Sequence, residues 1–408
     1  MDDLREILEQ DLSRVGPAAF DLEELTTKRE GVRRKRRVQA GILGLVVVTI
    51  LIGLLVTALR AVETSEPVTT PPPRTNGWVV YSILGRGFDE PQGIYVARPG
   101  TDPKRIVGAA GDGARGFCPS FSPDGSMLSY TEGHGPGQPP GVVKIVVTAV
   151  DEFAVPVGSA QRIEVPSRGG GRGLCAQWSP DGTALAYSDS GLWVVPIGGG
   201  DARRLVEGPI HGTLAWSPDG TTIAGTSSGY VVLISVDDGE MRAVQAGTYG
   251  GSVSWSPDGR AVAVAVKDGS DGGSDRDIAV IDIERGTSRV LPLGPGVTGN
   301  EPDWSPDGQQ IAFVDEGSIH LVDPDTGYLD SLPGVAVPDP SPLEIHAVDW
   351  SPDGQRLLAF GTDYQPELAY CLVSIAADGL GDPVLISPVT IAFYYTGPSD
   401  FDWQGVPT

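Results

Sequence analysis

Apolar and polar residues alternate in the short segments that lead up to seven aromatic residues of this 408-residue chain. Two places before each aromatic stand Pro119, Ala176, Leu214, Val253, Pro302, Val348 and Phe401. One place before it stand Ser120, Gln177, Ala215, Ser254, Asp303, Asp349 and Asp402. A period of two gives one apolar face and one mostly polar face, as a strand requires. Short apolar runs follow a few residues on, such as Leu185-Ala186-Tyr187 and Ile311-Ala312-Phe313, and read as the returning strand of a hairpin.

Between the two strands lies one stretch written six times, an aromatic followed at once by Ser-Pro-Asp-Gly. The copies run from Phe121 to Gly125, Trp178 to Gly182, Trp216 to Gly220, Trp255 to Gly259, Trp304 to Gly308 and Trp350 to Gly354. A seventh, broken copy, Phe401-Asp402-Trp403-Gln404-Gly405, keeps the aromatic and loses Ser-Pro-Asp. Proline presets φ, serine and aspartate bond the local backbone, and glycine takes the position that favours it, so each copy is a type I turn. The aromatics are 57, 38, 39, 49, 46 and 53 residues apart. That period suits the four-stranded blade of a β-propeller. Residues 78–83, 93–97 and 104–107 read as second, third and fourth strands with no first. Phe401 to Gln404, at the other end, supplies it. The count gives an all-β, seven-bladed propeller over 78–408, with a six-bladed form as the alternative.

The W-S-P-D-G-x-x-[LI]-A-[FY] pattern resembles the TolB-like β-propeller repeats, which are related in plan to WD-type repeats. The resemblance spans about residues 78–408. It implies the propeller firmly and, more loosely, interactions with protein or envelope partners by a protein that is not an enzyme. TolB itself is secreted, has a separate N-terminal domain and is similar to the six-bladed form, so the N-terminal part of this chain departs from it.

That part begins with an apolar stripe, Leu4, Ile7, Leu8, Leu12 and Val15, at helical spacing, stopped by Gly16-Pro17. Two readings stand: a marginal helix resting on the membrane, or a docking helix for a cytoplasmic regulator. Arg33-Arg34-Lys35-Arg36-Arg37 then precedes 22 uncharged residues, 38–59. As a helix these are about 33 Å long, enough to span a bilayer. The basic cluster puts the N-terminus in the cytoplasm and the propeller outside it. The layout is therefore a cytoplasmic tail over 1–37, a transmembrane helix over 38–59, a Pro-rich linker over 60–77 and the propeller beyond. A short acidic amphipathic helix, an Arg-rich stop and a span also resemble actinobacterial membrane proteins paired with extracytoplasmic-function sigma factors. Under that resemblance the propeller senses and the tail binds the factor.

The net charge is −24, yet residues 1–37 carry nine basic and nine acidic side chains, so the negative charge lies beyond the span. Such a domain repels phosphates, which argues against nucleic acid as a partner. Three cysteines exclude a dense disulfide framework. Cys118 and Cys175 stand three places before successive aromatics, where neighbouring inner strands converge, and are either a disulfide or two buried thiols. Thr213, Ser252, Glu301, Ala347 and Asp400 hold the same place in later repeats. Asn300, Glu301, His346 and Asp400 are the candidates for a divalent metal at the channel mouth, against a hydrated polar mouth with no ligand. The metal ligands would make a metal-dependent enzyme. No other cofactor is indicated. The G-x-S-x-G match over 225–229 falls in a hairpin rather than a strand-to-helix elbow. The longest connections, 132–141, 267–276 and 332–347, fall on the face opposite the Ser-Pro-Asp-Gly turns, which makes that face the candidate binding surface.

Overall fold

The computed structural model describes residues 74–407, apart from 84–92, 109–113, 135–141, 167–173, 247, 268–275, 295, 333–342, 364–368, 381 and 390–400. The tail helix with Leu4, Ile7, Leu8, Leu12 and Val15, the span over 38–59 and most of the linker lie outside these residues. Among the described residues there is no helix, and so none that is long and apolar enough to cross a membrane.

The strands form seven four-stranded antiparallel sheets. Blade 1 is built from both ends of the propeller. Its innermost strand is Phe401–Pro407, followed outward by Arg74–Ile83, Gly93–Ala97 and Lys104–Gly108. Blades 2 to 7 are sequential, with inner strands Ala114–Phe121, Gln177–Trp178, His211–Trp216, Thr248–Trp255, Asn300–Trp304 and Glu344–Trp350. Pairing of Val80 with Asp402 and Tyr81 with Phe401 joins the two ends of the fold. Closure leaves no free inner edge for another chain to pair with.

The turns form as their residues dictate. In blade 3, Gly182 N–H donates to Ser179 O at 2.9 Å, and Ser179 Oγ donates to Asp181 Oδ1 at 2.6 Å. Asp181 Oδ1 also accepts from Thr183 N, and Ser179 Oγ accepts from Ala184 N. Gly182 stands at φ 70°, in the left-handed region where glycine bears no Cβ penalty. The carboxylates of Asp124, Asp181 and Asp219 are desolvated, but hydroxyl and backbone N–H donors outweigh this and hold them below the usual range.

Among the described residues the core is divided rather than single. Seven apolar clusters each lie between two consecutive blades, such as Val314, Leu321, Trp350 and Leu357 between blades 6 and 7. A blade is therefore covered on both faces. That is why second strands read as unbroken apolar runs: Val262, Ala263, Val264, Ala265 and Val266 are all buried. Each fully buried aliphatic contributes roughly 1.5–3 kcal/mol. The aromatics add a second tie. The indole Nε1 of Trp178, Trp216, Trp255 and Trp350 donates to the carbonyl of Ser120, Gln177, Ala215 and Asp303, always the residue before the preceding blade's aromatic.

Candidate functional site

Inner strands converge on a central channel, and the residue before each aromatic turns into it. A cavity of about 450 Å³ opens there, lined by Ser120, Gln177, Ser254, Asp303, Asp349 and Asp402 together with Glu301 and the tryptophans of blades 3 to 6. The strands reach this geometry through a bulge just ahead of the aromatic. Pairing slips between Phe117 and Ser120 in blade 2 and between Asn300 and Asp303 in blade 6. Pro119 and Pro302 sit inside those bulges, where no ladder N–H is needed. Cys118 and Glu301, just before them, take φ values of 48° and 49°.

Three successive blades, 6, 7 and 1, carry aspartate at the channel-facing position. Asp402 Oδ2 accepts from Phe121 N at 2.8 Å and from Ser120 Oγ at 3.0 Å, tying blade 1 to blade 2. Asp303 accepts from Ser254 Oγ at 3.1 Å on one side and Trp350 N at 3.0 Å on the other, spanning blades 5, 6 and 7. Asp349, between them, bonds to Asp303. Burial raises all three. Asp402 is pushed up to about 6, its hydrogen bonds from Phe121 and Ser120 limiting the rise. Asp349 lies well above the carboxylate range, because burial and the neighbouring charges of Asp303 and Asp402 all oppose its ionisation. Asp303 is raised less, since Trp350 N–H, the Ser254 hydroxyl and Asp349 stabilise its charge. Of the pair, Asp349 is therefore the carboxyl that holds a proton more readily, and it donates to Asp303. A carboxylic acid beside a carboxylate can give and take a proton, and the unpaired charge favours cationic or hydroxyl-bearing ligands.

Of the residues singled out in the sequence, Glu301 lines the cavity. Cys118 and Cys175 form a disulfide between blades 2 and 3, with Cα atoms 5.2 Å apart. Cys371 is buried in blade 7 and takes no part in the disulfide. Glu301 accepts from Ser252 Oγ and is raised by burial, while Arg276 donates to Asn300 Oδ1 and partly offsets the Glu301 charge. His346 Nε2 pairs with Thr362 Oγ1 at 2.6 Å, and burial lowers its basicity. Asp400 lies outside the described residues. Asn300, Glu301 and His346 are therefore each committed to a different neighbour. Among the described residues no group of three or more His, Cys, Asp and Glu side chains is arranged to hold a metal ion. Sequence reasoning passed over Asp303, Asp349 and Asp402. Its one signal was the run of three aspartates that ends an otherwise neutral list of channel-facing residues.

Residues 117–318 match the family model described as the TolB beta propeller domain. No curated protein matches the chain in sequence. Among solved structures it is similar to oligogalacturonate lyase from Vibrio parahaemolyticus, at 14% identity and TM-score 0.53 over 76% of this chain and 86% of that one. It is also similar to the periplasmic gluconolactonase of Pseudomonas aeruginosa, at 17% identity and TM-score 0.53 over 82% and 100% of the two chains. TolB from Acinetobacter baumannii matches at 14% identity and TM-score 0.47 over 80% and 82%. The lyase and the lactonase correct one expectation. The resemblance in the repeats implied a protein that is not an enzyme, but enzymes share this propeller, so the fold does not separate the two classes. Six in-register turns, seven closed blades and the match over 117–318 agree on one assignment: the chain carries a TolB-like β-propeller domain.

Proposed function

We propose that this is a single-span membrane protein whose propeller stands outside the cytoplasm and binds a protein partner of the cell envelope through the face opposite the Ser-Pro-Asp-Gly turns. The observation that carries the reading is the asymmetry of the connections. Third-to-fourth-strand links on the turn face are short, such as Ser235 to Met241 and Asp282 to Thr287. On the other face His134 to Val142, Lys267 to Arg276, Ser331 to Glu344 and Val389 to Phe401 leave long intervals between strands. Long connections on a rigid scaffold are where recognition concentrates. The Cys118–Cys175 disulfide supports an oxidising compartment, in keeping with the basic cluster on the N-terminal side of residues 38–59.

The test replaces residues 268–275 and, separately, 333–342 by short Gly-Ser turns in the full-length protein. Partners are then captured by cross-linking in whole cells. Loss of one cross-linked species with unchanged thermal unfolding supports the reading. An identical cross-linking pattern in both variants refutes it. Protease added to intact cells should meanwhile cut the propeller but spare the tail.

The tail stripe favours a second role, as a transmembrane regulator whose Leu4, Ile7, Leu8, Leu12 and Val15 bind a sigma factor or another cytoplasmic regulator. A pull-down with residues 1–37 decides it. A specific cytoplasmic protein, lost when Leu8 and Leu12 become Asp, makes this a signalling protein. Recovery of nothing specific makes the tail an anchor only.

A further inference from the structure

Away from the channel, blade 6 holds a second cluster with chemistry in it. Its four strands, Asn300–Trp304, Ile311–Asp315, Ser318–Val322 and Leu329–Ser331, place Phe313 opposite His320 and His320 opposite Ser331. Ser331 lies on the outermost strand and is exposed. Its Oγ is 2.8 Å from His320 Nδ1. On the far side of the ring, His320 Nε2 is 3.7 Å from Asp315 Oδ2, and both side chains are about nine-tenths buried. Asp315 is itself fixed, its Oδ1 accepting from Thr298 N at 2.9 Å and Thr298 Oγ1 at 2.8 Å. The imidazole stacks on Phe313, with centroids 5.3 Å apart.

This order decides the tautomer. The carboxylate side of the ring is the favourable place for the imidazole proton, which leaves Nδ1 with a lone pair and makes the Ser331 hydroxyl the donor. The geometry points to Ser331 as a nucleophilic serine that takes an acyl group from a small ester, with His320 as its general base and Asp315 as the residue that positions His320. Burial keeps His320 below its usual basicity, Asp315 only partly restoring it, so the ring is neutral at pH 7 and free to accept a proton. Ser331 does not line the channel cavity, and an open edge-strand position suits a short acyl group. As the Ser331 Oγ–carbonyl carbon bond forms, the hydroxyl proton passes to His320 Nδ1. The bond from that carbon to the alkoxy oxygen then breaks, and the same proton leaves with the departing alcohol. Water activated by the same imidazole releases the acid and restores the serine.

The test incubates the full-length protein with p-nitrophenyl acetate, following p-nitrophenolate release and mapping acetyl groups by peptide mass spectrometry. Ser331 should be acetylated about 100-fold faster than any other hydroxyl, the scale of one positioned general base. Ser331→Ala, at an exposed site, should abolish that fast phase without changing the fold. His320→Gln should lose it as well. Asp315→Asn should move the pH midpoint of acetylation lower, because the carboxylate is what partly raises the His320 basicity, an effect that a merely structural role would not produce. Acetylation of Ser331→Ala at the wild-type rate, or acetyl groups spread over lysines and many serines, overturns the proposal. Should His320→Gln fail to fold, a wild-type rate that does not change with pH between 5 and 7 overturns it equally.

Discussion

Asp402 should make this propeller more stable in mild acid than at neutral pH. Its carboxyl sits on the closing strand, paired with blade 1 through Val80 and hydrogen-bonded to blade 2, and burial pushes it up to about 6 from an ordinary value of 3.8. A folded state that binds a proton more tightly than the unfolded chain gains stability as that proton is taken up. The contribution is therefore full below the unfolded value of 3.8 and is lost as pH rises through about 6. The difference, about two pKa units at 1.36 kcal/mol each, is roughly 3 kcal/mol between the two limits. Asp349 acts with the same sign, since its value is also raised. The turn carboxylates Asp124, Asp181 and Asp219 act with the opposite sign, because theirs are lowered and their stability is lost only as pH falls below 3.8.

The expected profile of the full-length protein is thus a thermal midpoint that climbs from pH 7.5 to pH 5 and collapses below about 3.8. About half of that limiting difference, roughly 1.4 kcal/mol, is realised between pH 7.5 and pH 5, so at roughly 2 °C per kcal/mol for a domain of this size the climb due to Asp402 is about 3 °C. Asp402→Asn keeps an amide oxygen to accept from Phe121 N and removes the ionisation. It should raise the midpoint at pH 7.5 and flatten the climb by about one proton's worth. The neighbouring Asp349 should also become easier to ionise in that variant, because one of the charges opposing it is gone. Differential scanning calorimetry at closely spaced pH values measures both slopes. A midpoint that falls steadily from pH 7.5 to pH 5, or an Asp402→Asn slope equal to the wild type's, would show that the channel carboxyls are solvated as ordinary surface groups.

Three further outcomes follow from the blade contacts. Maleimide labelling of the denatured, unreduced protein should find one thiol, Cys371, and three after reduction; breaking the bridge that closes this 57-residue separation should cost about 4 kcal/mol, read as a fall in the thermal midpoint on adding reductant. Trp350→Phe removes the 3.1 Å bond to the Asp303 carbonyl and should cost about 1–3 kcal/mol more in denaturant unfolding than Trp403→Phe, because the buried Trp403 indole N–H has no partner among the described residues. Gly125→Ala should destabilise more than Gly182→Ala although both sit at φ 70°, since a Cβ at 125 meets the Gly405 carbonyl at 2.7 Å whereas one at 182 meets only Pro123 Cδ at 3.7 Å. Equal midpoints for the two alanine variants would contradict the packing at that junction.

The blades were legible because their signal is local and repeated. A turn sequence announces itself, and the alternation before Trp178 or Trp304 needs only the two-residue period of a strand. The closure by Phe401–Pro407 was also readable, since a blade beginning at Trp78 without a first strand requires one from elsewhere. What escaped was long-range electrostatics. Asp303, Asp349 and Asp402 look like ordinary solvent-facing strand residues, because strand alternation alone does not say that seven polar faces converge on one channel. Their unusual basicity comes from that convergence, not from their neighbours in the chain. Ser331, His320 and Asp315 were hidden for the same reason. Three adjacent strands bring them side by side, while in the sequence they carry none of the spacing by which nucleophilic sites are recognised.

The acidic trio also shows where the ring is tied and where it is not. Most seams share one device, in which the residue before an aromatic accepts from the next blade's indole, from its backbone N–H, or from both. Ser254 and Asp303 do so across blades 5, 6 and 7, and Asp402 does so from blade 1 to blade 2. Between blades 7 and 1 the pattern changes. Asp349 turns back towards Asp303, the Trp403 indole N–H has no partner among the described residues, and Phe360, Leu372, Phe401 and Trp403 supply an apolar layer instead. This is the seam where the chain's last strand meets its penultimate blade, so it holds mainly by packing and by the strand pairing of Phe401–Pro407 with Arg74–Ile83. Gln404 reinforces that strand from its other side, donating to Gly125 O at 2.7 Å and accepting from Trp78 N at 3.2 Å. The broken seventh repeat therefore has a physical reason. Glutamine reaches across to the neighbouring turn, whereas the Ser-Pro-Asp it replaces would bond only within its own turn.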